Sequence, residues 1–307
     1  MNRRNFISRS APALLLLPLA SSLPLRADQD PDWMRPFPPF RIAGNSPGSP
    51  RTGPGPWGGL YYVGSADLAS YLIVTPAGLI LINGNLIASP PLIRRSVEKL
   101  GFRFSDIKIL LISHAHSDHC GGSAQIVKLT GAKYFVMAGD VPVVESGGRA
   151  DFQYGAEPAQ NYPPAHVDRV LHDGDTVSLG GVVLTAHLTA GHTRGTTTWT
   201  MDEVQDGRTL HVVIVGSPNV NPGYKLVGNK VYPQIAADYA RGFAVLQSLP
   251  CDIFLGAHGS YFDLKGKYAR FESGDRNAFI DPAGYKAYVA ERKHAFEAEL
   301  ARQSQAR

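Results

Sequence analysis

The sequence predicts a layered α/β fold, with two β-sheets in the middle and helices outside. Short apolar runs rich in β-branched residues and bounded by Gly or Pro occur in both halves of the chain. Segments with helical periodicity lie among them. Hydrophobic residues make up 44% of the 307 residues and charged residues 18%, so there is ample apolar material for a large core. Strands and helices mixed in this way typically form stacked layers.

The first 27 residues indicate an export signal rather than part of the fold. Arg3 and Arg4 precede a short apolar run over residues 11–19, and small residues follow, as in a secretory signal peptide. The arginine pair followed by Phe6 is typical of a twin-arginine signal; the alternative is a general-secretion signal with a chance pair. We therefore expect a cleaved signal over residues 1–27 and a periplasmic protein.

Charge and hydropathy exclude two classes of partner. The arginines of the signal account for the whole formal net charge of +4, so the mature chain gives no reason to expect nucleic-acid binding. No apolar run reaches the ~18 residues of a membrane span, so no membrane association is expected after cleavage. We expect a monomer that acts on a small molecule.

Residues 28–59 are predicted to form an N-terminal arm, and residues 60–307 a single domain. Within the arm, residues 46–57 contain too many Pro and Gly residues for a regular element.

In the domain, apolar runs bounded by breakers predict strands, and apolar residues at helical spacing predict helices. An example is the helix over Pro90–Leu100, in which Leu92, Val97 and Leu100 are expected to share a face and Gly101 ends the helix. Strands are predicted at 71–75, 79–83, 107–112, 134–137, 182–188, 196–201, 210–215 and 251–255. Further helices are predicted after Gly122 up to Gly131, at 233–249 and at 285–300.

The strongest chemical signal is a cluster of ligand-type side chains directly after the buried strand 107–112. His114, His116, Asp118 and His119 lie within six residues. Such groups, packed into one turn, would repel or desolvate one another unless a cation held them together. Imidazole nitrogen and carboxylate oxygen are the ligands that zinc prefers. The sequence therefore predicts a zinc site at this turn.

Further ligands must come from later strands. His192 and His258 each follow a predicted strand and are flanked by Gly, which lets the backbone bend to aim the ring. Two histidines inside strand patterns are expected to be core or face residues, and three in loops or on helix surfaces to be solvated. The first two are His187 and His211, and the other three are His166, His172 and His294.

The sequence resembles the metallo-β-lactamase superfamily in three features: the motif His-x-His-x-Asp-His, the later Gly191-His192-Thr193, and a late histidine after a strand. The resemblance runs from about Trp33 or Phe37 to the C-terminus. The resemblance implies a four-layer αββα sandwich. It also implies two zinc ions joined by a bridging hydroxide. One ion is expected to be bound by His114, His116 and His192, and the other by Asp118, His119 and His258.

Other residues resemble the third subclass of class B β-lactamases. Ser217 stands where many other relatives have a bridging aspartate. The run from Ser217 to Leu226, the pair Tyr232-Pro233 and the opening Pro38–Asn45 also look like this subclass. Asn83 departs from the usual aspartate, which puts the affinity of the second zinc in question. Cys120 and Cys251 either pair or are two small buried residues.

The resemblance implies hydrolysis of the β-lactam amide of antibiotics without a covalent intermediate. Asp118 is expected to orient the nucleophile, and Tyr224 to donate its hydroxyl to the oxyanion. Ser217, Asn219 and Asn221 are candidates for holding the substrate carboxylate, with simple turn residues as the alternative. Two other functions remain open: hydrolysis of another substrate, as by a lactonase or thioesterase, and zinc binding with little turnover.

Overall fold

The computed structural model describes residue 31, residues 34–44 and residues 58–306. The predicted signal peptide and residues 45–57 of the predicted arm lie outside the described residues. Within them there are twelve strands in two sheets, with seven α-helices. None of these helices has the length and apolar character needed to cross a bilayer.

The first sheet contains seven strands whose spatial order follows the chain, from β1 to β7. β1 to β4 pair antiparallel, and β4 to β7 pair parallel. Because the last four strands are parallel, their carboxyl ends lie at one edge of the sheet. The strands are β1 (Phe40–Ala43), β2 (Gly59–Tyr62), β3 (Tyr71–Thr75), β4 (Gly78–Ile82), β5 (Ile107–Leu111), β6 (Lys133–Met137) and β7 (Arg169–Leu171).

The second sheet contains five strands in the order β12-β11-β10-β9-β8. β8 to β11 form an antiparallel meander, and β12 adds parallel to β11. The strands are β8 (Thr176–Leu179), β9 (Val182–Leu188), β10 (Thr197–Gln205), β11 (Arg208–Val215) and β12 (Ile253–Gly256).

The helices cover the outer faces of both sheets. Their bounds are α1 (Pro90–Lys99), α2 (Ser117–Cys120), α3 (Ser123–Thr130), α4 (Val141–Glu145), α5 (Ile235–Ser248), α6 (Leu264–Glu272) and α7 (Pro282–Gln305). One apolar cluster joins the first sheet to α1 and α3, and a second joins both sheets to α5 and α7. The predicted αββα sandwich is confirmed. Trp199 of β10 connects the layers, because its indole Nε1 donates to the carbonyl of Ile112 at 3.0 Å.

Most predicted elements are present, and the differences occur where the sequence signal is weak. Four strands (β1, β2, β7 and β8) and three helices (α2, α4 and α6) are not among the predicted elements, and all of them except α6 have five residues or fewer. The irregular arm predicted over 28–59 is wrong for Phe40–Ala43, which pairs with β2 as an edge strand. The buried face of α1 is formed by Ile93 and Val97, whereas Leu92 is only half-buried.

Candidate metal centre

The motif turn begins where β5 ends, and polar contacts hold both sides of its first residue. The amide of Ser113 donates to Oδ1 of Asn83 at 2.8 Å, and the carbonyl of Ser113 accepts from the amide of Thr197 at 2.7 Å. Asn83 has a φ of 69°, a conformation that asparagine tolerates better than most residues. The turn is therefore attached to both sheets before its first histidine.

Three imidazoles form one group of converging side chains, which we call the three-histidine group. The potential ligand atoms of His114, His116 and His192 all lie within 4.8 Å of one another. The residues are only 1%, 8% and 5% exposed. Burial and the neighbouring histidines lower the pKa of His114 well below its ordinary value, and burial does the same for the pKa of His192. These two rings are therefore neutral, as metal ligands must be.

Asp118, His119 and His258 form the second set, which we call the aspartate group. Nε2 of His119 lies 3.2 Å from Oδ2 of Asp118 and 3.2 Å from Nε2 of His258. Nε2 of His258 lies 3.5 Å from Oδ2 of Asp118. Burial acts to raise the pKa of Asp118, but the adjacent His119 and His258 hold it below its usual range, so the carboxylate is ionised.

The spacing of these atoms fits zinc. With zinc–nitrogen distances of about 2.0–2.1 Å, neighbouring ligand atoms of a tetrahedral site lie roughly 3.3–3.4 Å apart. The three distances within the aspartate group are 3.2, 3.2 and 3.5 Å. The donor set of imidazole nitrogens and one carboxylate oxygen is the one zinc prefers. His114 also clusters with Asp118 and His119, so it lies between the two groups.

Hydrogen bonds fix the orientation of several rings. Nδ1 of His192 donates to the carbonyl of Asn219 at 2.8 Å, and Nδ1 of His258 donates to Oδ2 of Asp67 at 2.9 Å. These two hydrogen bonds select the tautomer of each ring and leave the other nitrogen free for a metal. Nε2 of His116 lies 3.7 Å from Oδ2 of Asp151, which is too far for a hydrogen bond. Asp67 and Asp151 were not predicted from the sequence.

Asp140 connects the two turns that carry the three-histidine group. Its Oδ2 accepts from the amide of Ala115 and from Oγ1 of Thr193, and its Oδ1 accepts from the amide of Gly195, each at 2.8 Å. Ala115 lies between His114 and His116, and Thr193 follows His192. Burial raises the pKa of Asp140 to about 6, although these three hydrogen bonds act in the opposite direction.

The turn at His192 depends on Gly191. This residue has a φ of 134°, and a Cβ added to it would lie 2.5 Å from the ring of Tyr239. Only glycine lets the backbone pass this close to the aromatic ring. The predicted role of a Gly-flanked turn in aiming His192 is consistent with this contact.

A cavity of about 530 Å³ lies above the two groups. Its lining includes His116, Asp118, His192 and His258, which belong to the groups, and several polar residues that do not. These polar residues are Asp67, Ser117, Tyr154, Gln160, Asn219, Asn221 and Tyr261. Nδ2 of Asn219 donates to the hydroxyl of Tyr261 at 2.8 Å, and Nδ2 of Asn221 donates to that of Tyr154 at 3.0 Å.

Two predicted substrate residues are placed differently from expectation. Tyr224 is 2% exposed and does not line the cavity, and its hydroxyl donates to the carbonyl of His192 at 2.9 Å. The predicted role of Tyr224 as a hydroxyl donor to substrate is therefore wrong for this structure. Ser217 is also buried and lies behind Tyr261, with its Oγ 3.2 Å from the tyrosine hydroxyl. Asn219 and Asn221 do line the cavity, as predicted.

The remaining histidines lie where the sequence indicated. Nε2 of His187 bonds Oγ1 of Thr200, and Nδ1 of His211 bonds Oδ1 of Asp202, both at 2.8 Å on the face of the second sheet. The other three are exposed: His166, His172 and His294.

Both cysteines are free, so the alternative in which they pair is wrong. Burial raises the pKa of the Cys120 thiol well above its ordinary value, so it is not a reactive thiolate.

Comparison with known proteins agrees with this geometry. Residues 69–204 match the family model of the metallo-β-lactamase superfamily. The chain is similar to the native FEZ-1 metallo-β-lactamase from Legionella gormanii, at 55% identity and a TM-score of 0.82 over 88% of this chain and 97% of that one. It is also similar to BJP-1, a subclass B3 metallo-β-lactamase of Bradyrhizobium japonicum, at 34% identity and a TM-score of 0.79 over 90% and 98%.

Two further relatives complete the comparison. The class B3 di-zinc metallo-β-lactamase LRA-12 from an Alaskan soil metagenome is 35% identical, with a TM-score of 0.79 over 88% of this chain and 97% of that one. Among curated proteins, a probable metallo-hydrolase of Burkholderia pseudomallei is 30% identical over 107 residues. That match spans about a third of each chain, at 35% of this one and 34% of the relative.

Proposed function

Because this chain belongs to the metallo-β-lactamase superfamily, we propose that it is a zinc-dependent β-lactamase of subclass B3 that hydrolyses the β-lactam amide bond of antibiotics. The observation that carries the proposal is the convergence of six ligand-type side chains at one end of both sheets. The likeness to three B3 or related metallo-β-lactamases over nearly their whole lengths supports it.

We assign one zinc ion to the three-histidine group and a second to the aspartate group. When bound, zinc supplies Lewis acidity, which lowers the pKa of a coordinated water and polarises a carbonyl oxygen. Asn83 does not contradict this assignment, since it contacts the backbone at Ser113 and Ala69 rather than a ligand side chain. Its amide donates to the carbonyl of Ala69, which an ionised aspartate could not do.

The chain's own residues position the nucleophile and the substrate. The side chain of Asp118 is 35% exposed toward the cavity and ionised, so its carboxylate can accept a hydrogen bond from the attacking water and orient it. Tyr154 takes the role that the resemblance implied for Tyr224. It lines the cavity beside His116, with 5.2 Å between ring centroids. Asn221 donates to its oxygen, so the Tyr154 proton is available to the developing oxyanion.

The cavity suits a bicyclic antibiotic in size, since pockets for drug-sized ligands commonly measure about 300–1,000 Å³. We further propose a monomer that is exported to the periplasm, where β-lactams act, and that contributes to antibiotic resistance. The basis for export is the sequence of residues 1–27.

The test is hydrolysis of a chromogenic cephalosporin and a carbapenem by the zinc-loaded protein, with and without a chelator. We expect chelator-sensitive turnover of both, with two zinc ions per chain. A His192→Ala variant should lose activity. A His294→Ala variant, in which an exposed histidine is removed from α7, should not. Absence of turnover by a protein holding two zinc ions would contradict the proposal, and a panel of lactones and thioesters would then identify the substrate class.

A further inference from the structure

The cavity above the metal centre contains no cationic side chain among the described residues that line it. A β-lactam antibiotic carries a carboxylate beside its reactive amide. No lysine or arginine lies among these lining residues, so neutral donors are the side chains available there to supplement the metal centre in binding this anion. Three lining residues carry a hydroxyl: Ser117, Tyr154 and Tyr261.

Tyr261 is the hydroxyl best placed beside the aspartate group. Oγ of Ser117 is already engaged, since it donates to Oε1 of Gln160 at 2.8 Å. Tyr154 lies on the opposite side, against His116. The ring of Tyr261 lies against His258, with 5.0 Å between the centroids. The two tyrosines therefore stand beside different ligand groups, and Tyr261 belongs to the side of Asp118 and His258.

The neighbours of Tyr261 prepare its hydroxyl to donate. Nδ2 of Asn219 lies 2.8 Å from the phenol oxygen, and an amide N–H can only donate, so Tyr261 is the acceptor in this bond. Oγ of Ser217 lies 3.2 Å from the same oxygen, and its rotatable hydroxyl can donate there too. When Ser217 also donates to the phenol oxygen, the Tyr261 proton is left for an anion in the cavity. Donation into the oxygen also polarises the O–H bond, which strengthens the bond that it makes.

The position of the phenol is fixed by packing as well. The ring of Tyr261 stacks on Tyr288, with centroids 5.2 Å apart and planes at 29°. A Cβ on Gly256 would approach the Tyr261 ring to 2.8 Å, so glycine at the end of β12 is needed for this placement. The hydroxyl is thus held by side chains from the loop after β11 and by a helix, and little rotational freedom is lost when a substrate binds.

We propose that Tyr261, supported by Asn219 and Ser217, is a specificity-determining residue that donates a hydrogen bond to the carboxylate of the β-lactam substrate. This inference rests on the proposed function. It assigns the recognition of an anion to a neutral phenol rather than to a cation.

The test compares Tyr261→Phe with the wild-type protein on a chromogenic cephalosporin and on the methyl ester of its carboxylate. For the free acid, KM should rise about tenfold in the variant, because a hydrogen bond to a charged group is lost, while kcat changes less than about twofold. For the ester, wild type should already show the raised KM, and the variant should add little. Asn219→Ala should reproduce the same acid-specific pattern at about threefold.

Tyr288→Phe is the matched control. It removes a hydroxyl that has no hydrogen-bond partner among the described residues, from the ring stacked on Tyr261, and it should leave KM unchanged for both substrates. Zinc content and the thermal midpoint of each variant establish that the fold is intact. If Tyr261→Phe left KM for the acid unchanged, or raised KM equally for the acid and the ester, the inference about Tyr261 would be overturned. The proposed function would still stand. If wild type holding two zinc ions hydrolyses neither compound, the proposed function fails and this inference with it.

Discussion

The two ligand groups of the metal centre differ in how deeply they lie and in what holds them. The three-histidine group is almost fully buried, and Asp140 ties together the two turns that carry it. In the aspartate group, the side chains of Asp118 and His258 are 35% and 22% exposed. On that side, Nδ1 of His258 donates to the carboxylate of Asp67, which lies between β2 and β3.

This difference indicates that the two groups have different roles, one in retaining metal and the other in contacting substrate. A buried and cross-linked set of ligands is preorganised, so it should retain its zinc more firmly. A partly exposed set lies where the substrate must enter, and it keeps Asp118 accessible to a nucleophile. The variants below separate the two groups, beginning with the change expected to affect both.

His114→Ala should have the largest effect, because His114 clusters with members of both groups. Loss of a partner behind a ligand typically costs about 10–100-fold, so loss of this ligand should lower kcat/KM by more than about 100-fold. Zinc content should fall below that of either His258→Ala or His192→Ala. Metal analysis and steady-state kinetics measure both quantities, with His187→Ala as the control. If the His114→Ala variant retained two zinc ions, His114 would not be required by either group.

Asp67→Ala should weaken one group only. Its carboxylate holds Nδ1 of His258, and burial, which opposes ionisation, is outweighed by the contact with His258, which lowers the Asp67 pKa to about 2. We expect zinc affinity at the aspartate group to fall about 10–100-fold, with the three-histidine group unaffected. Chelator competition should then show two separated steps. Asp151→Ala, beside His116, is the matching variant for the three-histidine group. If either variant lowered the zinc affinity of both groups equally, the proposed difference between the groups would be contradicted.

Asp140→Asn should destabilise the fold and the three-histidine group together. Both carboxylate oxygens accept hydrogen bonds, and an amide keeps only one acceptor, so at least one buried donor is left unpaired. The expected loss is about 1–3 kcal/mol in the free energy of unfolding. Urea unfolding of the metal-free protein measures it. If the variant were as stable as wild type, the link between the two turns would contribute nothing to the free energy of unfolding.

Asn83→Asp should have the smallest effect, although the relatives' usual residue would be restored. The contact of Oδ1 with the Ser113 amide can persist, but the carbonyl of Ala69 loses its donor. We expect about 1 kcal/mol of destabilisation and no change in zinc stoichiometry. A gain in zinc affinity for the aspartate group would instead show that a charge at this position reaches the metal.

Each of the six predicted ligand residues follows a strand and carries a local signal, and the structure brings their side chains together. The motif spacing identifies His114 to His119, and flanking glycines identify His192 and His258. Nothing comparable marks Asp67, which bonds a residue 191 positions away. Asp67 meets His258 because of the way the two sheets stack, and the spacing of residues along the chain does not encode this stacking.

Spacing along the chain does not encode which hydroxyl groups face the cavity either. Tyr224 lies in a run that resembles the B3 enzymes, yet its hydroxyl is used by the carbonyl of His192. Which hydroxyl remains free depends on the acceptors around it, and these become known only in three dimensions. Tyr261 lies three residues after His258, so its position near the site could have been inferred, but not its bonds to Asn219 and Ser217.

The six residues come from the ends of strands in both sheets, so metal binding and the stacking of the sheets are thermodynamically coupled. Residues 114–119 follow β5, whereas His192 and His258 follow β9 and β12. A bound ion therefore connects the two sheets, and by mass action it stabilises the states in which the sheets are stacked. By the same linkage, a substitution in the core between the sheets lowers the apparent zinc affinity only to the extent that it populates states in which the sheets are separated. Trp199, whose indole joins β10 to Ile112, would influence catalysis in this way without touching the substrate.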